Sequence, residues 1–88
     1  MSEADDQFAG RLAEELGRIL GTGIILDELD LGPGEDDPAR IRALCLFDGR
    51  TEVLEAAGDT RLEAYNRLIK AASELRLAIA SRNMIAPM

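Results

Sequence analysis

Few side chains in this 88-residue chain could do chemistry. There is no histidine, so the commonest general base and the commonest metal ligand are both missing. Cys45 is the only cysteine, which rules out an internal disulfide and a cysteine-rich zinc site. It lies in an apolar segment with no base to activate it. We therefore expect a buried hydrophobic residue rather than a nucleophile.

The densest group of ionisable side chains is the run Glu35, Asp36 and Asp37, which follows a glycine-proline-glycine segment. These carboxylates would repel phosphate, so a phosphate-binding loop is excluded. The run also lacks the spaced ligands and the distal glutamate of a calcium-binding EF-hand loop. We predict no catalytic residue, no metal site and no cofactor. The three acids are instead a candidate surface for a basic partner.

Composition and charge limit the class of protein. With 47% hydrophobic and 31% charged residues, the chain is predicted to be a single small folded domain over residues 1–88. Its net charge of −7 disfavours nucleic acid and anionic membranes as partners. Residues 1–37 hold eleven acids and two arginines, which indicates either a solubility device or a surface for a basic partner. Because no apolar run approaches roughly 20 residues, we expect a cytoplasmic protein.

The elements that would position these side chains follow from hydrophobic spacing. Residues 1–5 are predicted to be an acidic leader, and residues 32–38 an acidic, mobile loop. The segment from Ile24 to Leu31 is a candidate first strand, with Ile25, Leu29 and Leu31 on one face. Between leader and strand, an amphipathic helix that ends at Gly21 is predicted from five apolar residues at helical spacing: Phe8, Leu12, Leu16, Ile19 and Leu20.

A hairpin is predicted next. Residues 39–47 alternate as a strand, and Asp48-Gly49 is typical of a two-residue type I′ turn, which would place Phe47 opposite Arg50. In this register Leu44, Leu46 and Val53 lie on the open face of the sheet as an aliphatic patch for a partner or for self-association, unless a bulge turns them inward. The residues expected to face the helices are Ile41, Ala43, Cys45, Phe47, Leu54 and Ala56.

Thr60 and Glu63 have the spacing of a capping box and start a second helix, predicted to end near Ala80 or Ser81. Residues 82–88 are predicted to be a frayed tail. The fold class is α+β, in the order α-β-β-β-α, with a three-stranded antiparallel sheet and both helices on one face. The apolar stripe of the second helix is predicted at Leu62, Tyr65, Leu68, Ala72, Leu75 and Ile79.

The element order, the short glycine hairpin and the helix after the third strand resemble the double-stranded-RNA-binding domain over Phe8 to Leu75. That resemblance implies RNA contacts from the first helix, the loop between the first two strands and a lysine-rich start of the second helix. Here the loop is acidic, and residues 59–65 carry Arg61 as their only basic residue. The resemblance therefore implies the fold without the basic RNA-contact residues.

A shorter segment is similar to the regulatory domain of isopropylmalate synthases. The matching residues are Asp48, Gly49, Arg50, Thr51, Val53, Ala57, Glu63 and Ala64. That domain is built from βββα units and binds leucine at a dimer interface. The similarity implies a small-molecule sensor.

The function expected from the sequence is a small non-catalytic cytoplasmic interaction or adaptor module. Its partner would be a protein or a second copy of the chain, held by the open sheet face or the acidic loop. Two alternatives remain open: an amino-acid-sensing regulatory domain and a degenerate RNA-binding domain.

Overall fold

Two helices and three strands make up the fold, and a computed structural model describes residues 3–85 of it. The three strands form one antiparallel sheet in the order β1-β2-β3, so that β2 is central and the other two strands are edges. The predicted α+β class and the predicted element order are confirmed. In chain order the elements are α1 (Glu3–Leu20), β1 (Gly23–Leu31), β2 (Ala39–Phe47), β3 (Arg50–Gly58) and α2 (Arg61–Ile85).

Helix α1 begins at Glu3, inside the predicted acidic leader, whose first two residues lie outside the described part of the chain. Acids in the first turn favour an early start, because they interact well with the positive end of the helix dipole. The helix stops where predicted. Gly21 has a φ of +67° and donates its N–H to the Gly17 carbonyl at 2.7 Å.

Strand β1 contains a bulge at Asp27, where its register against β2 shifts by one residue. A bulge reverses the inward and outward alternation of the residues beyond it. The prediction that Ile25 shares a face with Leu29 and Leu31 is therefore wrong, because Ile25 precedes the bulge and lies on the opposite face. The residues of β1 that pack against the helices are Ile24, Leu26, Leu29 and Leu31.

The hairpin of β2 and β3 has the predicted register, from Phe47 opposite Arg50 onward, without any shift. No bulge therefore turns its open-face residues inward. The turn itself differs from the prediction. Gly49 has a φ of +83°, whereas Asp48 has no positive φ, so this is not a type I′ turn. A left-handed conformation costs Asp48, which carries a Cβ, more than it costs glycine.

The core lies between one face of the sheet and both helices, as predicted. Leu12 and Leu16 of α1 and Leu68 of α2 pack there with Ile41 and Ala43 of β2 in one core cluster. All five are fully buried. Of the residues predicted to face the helices, Cys45 is also buried, Leu54 and Ala56 pack against the core, and Phe47 at the strand end is half-buried.

Helix α2 is capped as predicted, since the Glu63 N–H donates to the Thr60 hydroxyl at 3.1 Å. Its predicted apolar stripe is wrong at Leu62, which is 67% exposed. Among residues 61–81, the part of the helix whose side chains the structure describes, the buried positions are Ala64, Leu68 and Ala72. Alanine lets the helix lie close to β3.

The end of α2 also differs from the prediction. The helix continues past Ser81 to Ile85, so the backbone of residues 82–85 is helical rather than frayed. The last part of the predicted tail, residues 86–88, lies outside the described residues.

Candidate interaction surfaces

An apolar patch occupies the open face of the sheet and consists of Ile25, Leu44, Leu46 and Val53. Ile25, Leu44 and Val53 are opposite one another across the three strands, and Leu46 lies next to Leu44 along β2. Ile25 is 49% exposed, Leu46 41% and Val53 53%, while Leu44 in the centre is half-buried. The candidate residues Leu44, Leu46 and Val53 therefore form one surface, which Ile25 extends.

Ile25 is the member of the apolar patch that sequence reasoning missed. Its exposure depends on the bulge at Asp27, because the bulge reverses the alternation and so places Ile25 on the opposite face from Leu29 and Leu31. The signal in the sequence is the consecutive pair Asp27 and Glu28 within an otherwise alternating strand. Two adjacent acids cannot both be explained by simple alternation, and a bulge resolves the conflict.

Ion pairs border the apolar patch on the same face. The Arg42 Nε donates to Asp27 Oδ2 at 2.7 Å, and Arg42 Nη1 lies 3.9 Å from Glu55 Oε1. The hydrogen bond to Asp27, together with the negative charge of Asp27, raises the pKa of the Arg42 guanidinium above its ordinary value. The bulge thus places Asp27 where it holds Arg42, and the open face divides into an apolar half and a charged half.

The acidic loop between β1 and β2 contains the other three candidate residues, which differ in exposure and in hydrogen bonding. Glu35 and Asp36 are exposed, whereas Asp37 is half-buried and accepts the Gly34 N–H at 2.7 Å. The Asp37 N–H donates back to the Gly34 carbonyl at 3.2 Å. A Cβ on Gly32 would lie 2.3 Å from the Cβ of Asp37, so this tight path requires glycine. The loop has no helix or strand, as predicted, but hydrogen bonds hold it.

Arg61 joins the acidic loop to the starts of both helices. Its Nη1 lies 2.9 Å from Asp5 Oδ1 in α1, and its Nη2 donates to the Gly32 carbonyl at 2.7 Å. Its backbone N–H donates to the Glu35 carbonyl at 3.4 Å. The Arg61 side chain is only 12% exposed. Its charge is therefore neutralised within the protein.

The acidic loop and the apolar patch lie at opposite ends of the sheet. The loop joins the end of β1 to the start of β2, whereas Leu46 and Val53 lie toward the hairpin turn. About five residues of strand, or roughly 16 Å, separate the two regions along β2. The six residues proposed from the sequence thus form two surfaces rather than one.

A cleft of about 620 Å³ opens beside Arg61, between the first turns of the two helices and the acidic loop. Phe8 and Tyr65 contribute to its lining and contact each other edge to face, with ring centroids 5.8 Å apart. Arg11 on one side and Glu35 and Asp36 on the other supply opposite charges. The cleft thus combines aromatic surface with both a cationic and an anionic group.

Cys45 is fully buried within the sheet. Burial, and to a smaller extent the charge of Glu52, raises the pKa of its thiol above the ordinary value. A protonated, inaccessible thiol is a poor nucleophile. Within residues 3–85, no group of three or more acidic or cysteine side chains is arranged to hold a metal ion. No helix in that range is long and apolar enough to cross a membrane.

Comparison of the chain with protein-family models, with curated proteins and with solved structures finds no match. The apolar patch, the acidic loop and the cleft are therefore the features from which a function can be inferred.

Proposed function

We propose that this protein is a small non-catalytic cytoplasmic interaction module that binds a partner protein on the apolar patch. The exposure of Ile25, Leu46 and Val53 on a face that neither helix covers carries this proposal. Complete burial of an exposed aliphatic side chain contributes about 1.5–3 kcal/mol, and a partner gains about half of that at each of these half-exposed positions, so covering several of them favours a complex. Clustered aliphatic residues on a small domain are typical of a binding surface.

The border of the apolar patch supports the same role. Protein interfaces combine an apolar centre with a polar rim that stays in contact with water. The ion pairs of Arg42 with Asp27 and Glu55 supply such a rim on one side. A partner with an apolar centre and its own charged groups beside it would be oriented by these pairs, because rim charges set orientation more than affinity.

A matched pair of lysine substitutions tests the docking role. Leu46→Lys places a charge in the apolar patch, whereas Leu77→Lys places one at an exposed position on α2, where Leu77 is 67% exposed. We expect the tagged wild type and Leu77→Lys to retain the same partner from native lysate, and Leu46→Lys to lose it. Circular dichroism would establish that both variants fold. A partner that Leu46→Lys retains, or a wild type that retains none, would refute the docking role.

A degenerate RNA-binding domain is the alternative suggested by the α-β-β-β-α order. Two observations favour a protein partner over duplex RNA. Glu35 and Asp36 are exposed on the loop, where they would repel phosphate, and the Arg61 guanidinium already forms an ion pair with Asp5. We expect no mobility shift with duplex RNA at about 50 mM salt, where attraction to phosphate is strong. A shift that weakens steeply as salt is added would reverse this choice.

The cleft favours amino-acid sensing as a second candidate function. Arg11 suits a carboxylate, Glu35 and Asp36 suit an ammonium group, and Phe8 and Tyr65 offer an apolar surface. A bound ligand stabilises the native state in proportion to the logarithm of its concentration. We expect millimolar leucine to raise the melting temperature and glycine, which has no apolar side chain, to leave it unchanged. The same melting temperature with both would exclude this function.

A further inference from the structure

The two edges of the sheet differ in how well they can pair with another strand. The β1 edge carries the bulge at Asp27 and two further acids, Glu28 and Asp30. Acids occur on both edges, since β3 contains Glu52 and Glu55, but the bulge is found in β1 alone, and a bulge twists an edge away from a pairing strand. Strand β3 has no proline and pairs with β2 over its whole length without a shift. It is therefore the edge suited to accept another strand.

The hairpin register shows which backbone groups of β3 are free to pair. In a two-residue hairpin the residues beside the turn exchange hydrogen bonds, and every second pair along the ladder does the same. Counted from Phe47 and Arg50, this directs the backbone groups of Thr51, Val53 and Glu55 away from β2. The Ala57 carbonyl has the same direction but accepts a hydrogen bond from Arg67 at 2.7 Å. The free edge therefore extends over residues 51–55.

We propose that β3 pairs antiparallel with β3 of a second copy of this chain, about a two-fold axis at Val53. The two sheets then form one sheet of six strands. Val53 lies opposite Val53 of the other copy, and Thr51 lies opposite Glu55. This pairing uses all the free backbone groups of residues 51–55, which make about six hydrogen bonds across the seam.

Repulsion between carboxylates and the hydrogen bond already made by the Ala57 carbonyl favour this register over the neighbouring registers. An axis at Glu52 or Glu55 places a carboxylate directly opposite its own copy, which is destabilising. An axis at Leu54 would pair Thr51 with Ala57, whose carbonyl Arg67 already occupies. The axis at Val53 leaves no like charges opposite each other.

The pairing also has a consequence for the open face. The side chain of Val53 belongs to the apolar patch and lies at its outer limit on β3. Joining two copies at Val53 makes one continuous apolar band from Ile25 of one copy to Ile25 of the other. The inference rests on the backbone of the β3 edge and not on the docking role of the apolar patch. Either can fail without the other.

Single cysteines in β3 test the register directly. Directly opposite residues in an antiparallel pair have Cα atoms about 5.5 Å apart, within disulfide range. We expect Val53→Cys to form a disulfide-linked dimer of twice the 9.5 kDa chain mass under mild oxidation. Thr51→Cys and Glu55→Cys point to the same face but lie roughly 13 Å from their own copies, so each alone should remain monomeric on a denaturing gel.

The double variant Thr51→Cys/Glu55→Cys places unlike cysteines opposite each other and should cross-link. Wild-type protein is the control, since Cys45 is buried and should not react. Equal cross-linking by all three single variants would mean random collision. No cross-linking by Val53→Cys would mean that the seam does not exist. Either result overturns the proposal.

A proline variant with an alanine control supplies a second measurement on the full chain. Glu55→Pro removes an N–H that points away from β2, so the hairpin keeps its own hydrogen bonds. Glu55→Ala removes the side chain alone. We expect wild type and Glu55→Ala to show the dimer mass by light scattering, and Glu55→Pro to raise the dimer dissociation constant at least about tenfold. A monomeric wild type at millimolar concentration would refute the pairing.

Leu46→Lys separates this pairing from the docking role. Leu46 lies on the central strand, away from the β3 edge. This variant should keep the dimer mass while losing the partner protein. If it keeps the partner as well, the docking role fails and the strand pairing stands. If the wild type binds the partner as a monomer, the pairing fails and the docking role stands.

Discussion

Both faces of β2 carry aliphatic side chains, but the environments of the two faces are opposite. Ile41 and Ala43 are fully buried under the helices, whereas neither helix covers Leu44 and Leu46 on the other side of the same strand. Aliphatic side chains alone thus do not mark a core. A face becomes core when another element covers it, and two helices can cover only one face of this sheet. The uncovered face remains available for a partner.

The largest difference between the faces should appear on truncation to alanine. Ile41→Ala leaves a cavity in the core and should lower the free energy of unfolding by about 3 kcal/mol. Leu46→Ala removes a side chain that is 41% exposed and should change it by less than about 1 kcal/mol. Urea denaturation monitored by circular dichroism measures both. Equal losses would show that the open face is covered in solution.

Alanine substitution of two glycines at strand ends should show a smaller difference in stability between the two faces of the sheet. A Cβ on Gly58 would lie 2.6 Å from the Ala64 nitrogen, under α2, so Gly58→Ala should destabilise by about 2 kcal/mol. A Cβ on Gly23 would meet only the Leu46 Cδ1, at an ordinary 3.8 Å, on the open face. Gly23→Ala should therefore leave the melting temperature unchanged or raise it. A tolerated alanine at Gly58 would mean that α2 lies farther from β3.

Substitution of two arginines compares the stability contributed by a largely buried ion pair, at Arg61, with that of an exposed one, at Arg42. Arg61→Gln removes the partner of Asp5 and weakens the bond to Gly32, and it should cost about 1.5 kcal/mol. Arg42→Gln breaks pairs that water already screens, so no measurable loss of stability is expected. Thermal melting at low and high salt distinguishes them. A salt-sensitive loss at Arg42 that equals the loss at Arg61 would contradict this comparison.

The thiol of Cys45 should give the smallest effect, visible only at alkaline pH. Its pKa is raised in the folded protein by burial, so the unfolded chain loses this proton at a lower pH than the folded chain. Stability is therefore unaffected below about pH 8.5 and declines as the pH rises further. The measurement is urea denaturation from pH 7 to 10, with Cys45→Ala as the control. An identical pH profile in that variant would show that the thiol plays no part.

The local signals in the sequence predicted a substantial part of both the fold and the candidate surface. The spacing of Phe8 to Leu20 predicted α1 with its inward face, and Asp48-Gly49 predicted the register of the hairpin. Leu44, Leu46 and Val53 were assigned to the open face from that register alone, because side chains alternate strictly along an unbroken strand. These features depend on neighbouring residues, and a sequence displays them directly.

Other features depend on contacts between distant segments, and only the tertiary structure decided them. Ile25 joins the apolar patch because the bulge at Asp27 lets the strand continue with both Leu29 and Leu31 inward. Leu62 is exposed because Ala64 and Gly58 bring α2 close to β3, which fixes the rotation of the helix. Arg61 pairs with Asp5, which lies 56 positions earlier in the sequence, and the cleft beside this pair is likewise lined by residues from distant segments. By itself the sequence determined which segments are helix and strand, and the packing between those segments decided which surfaces remain free.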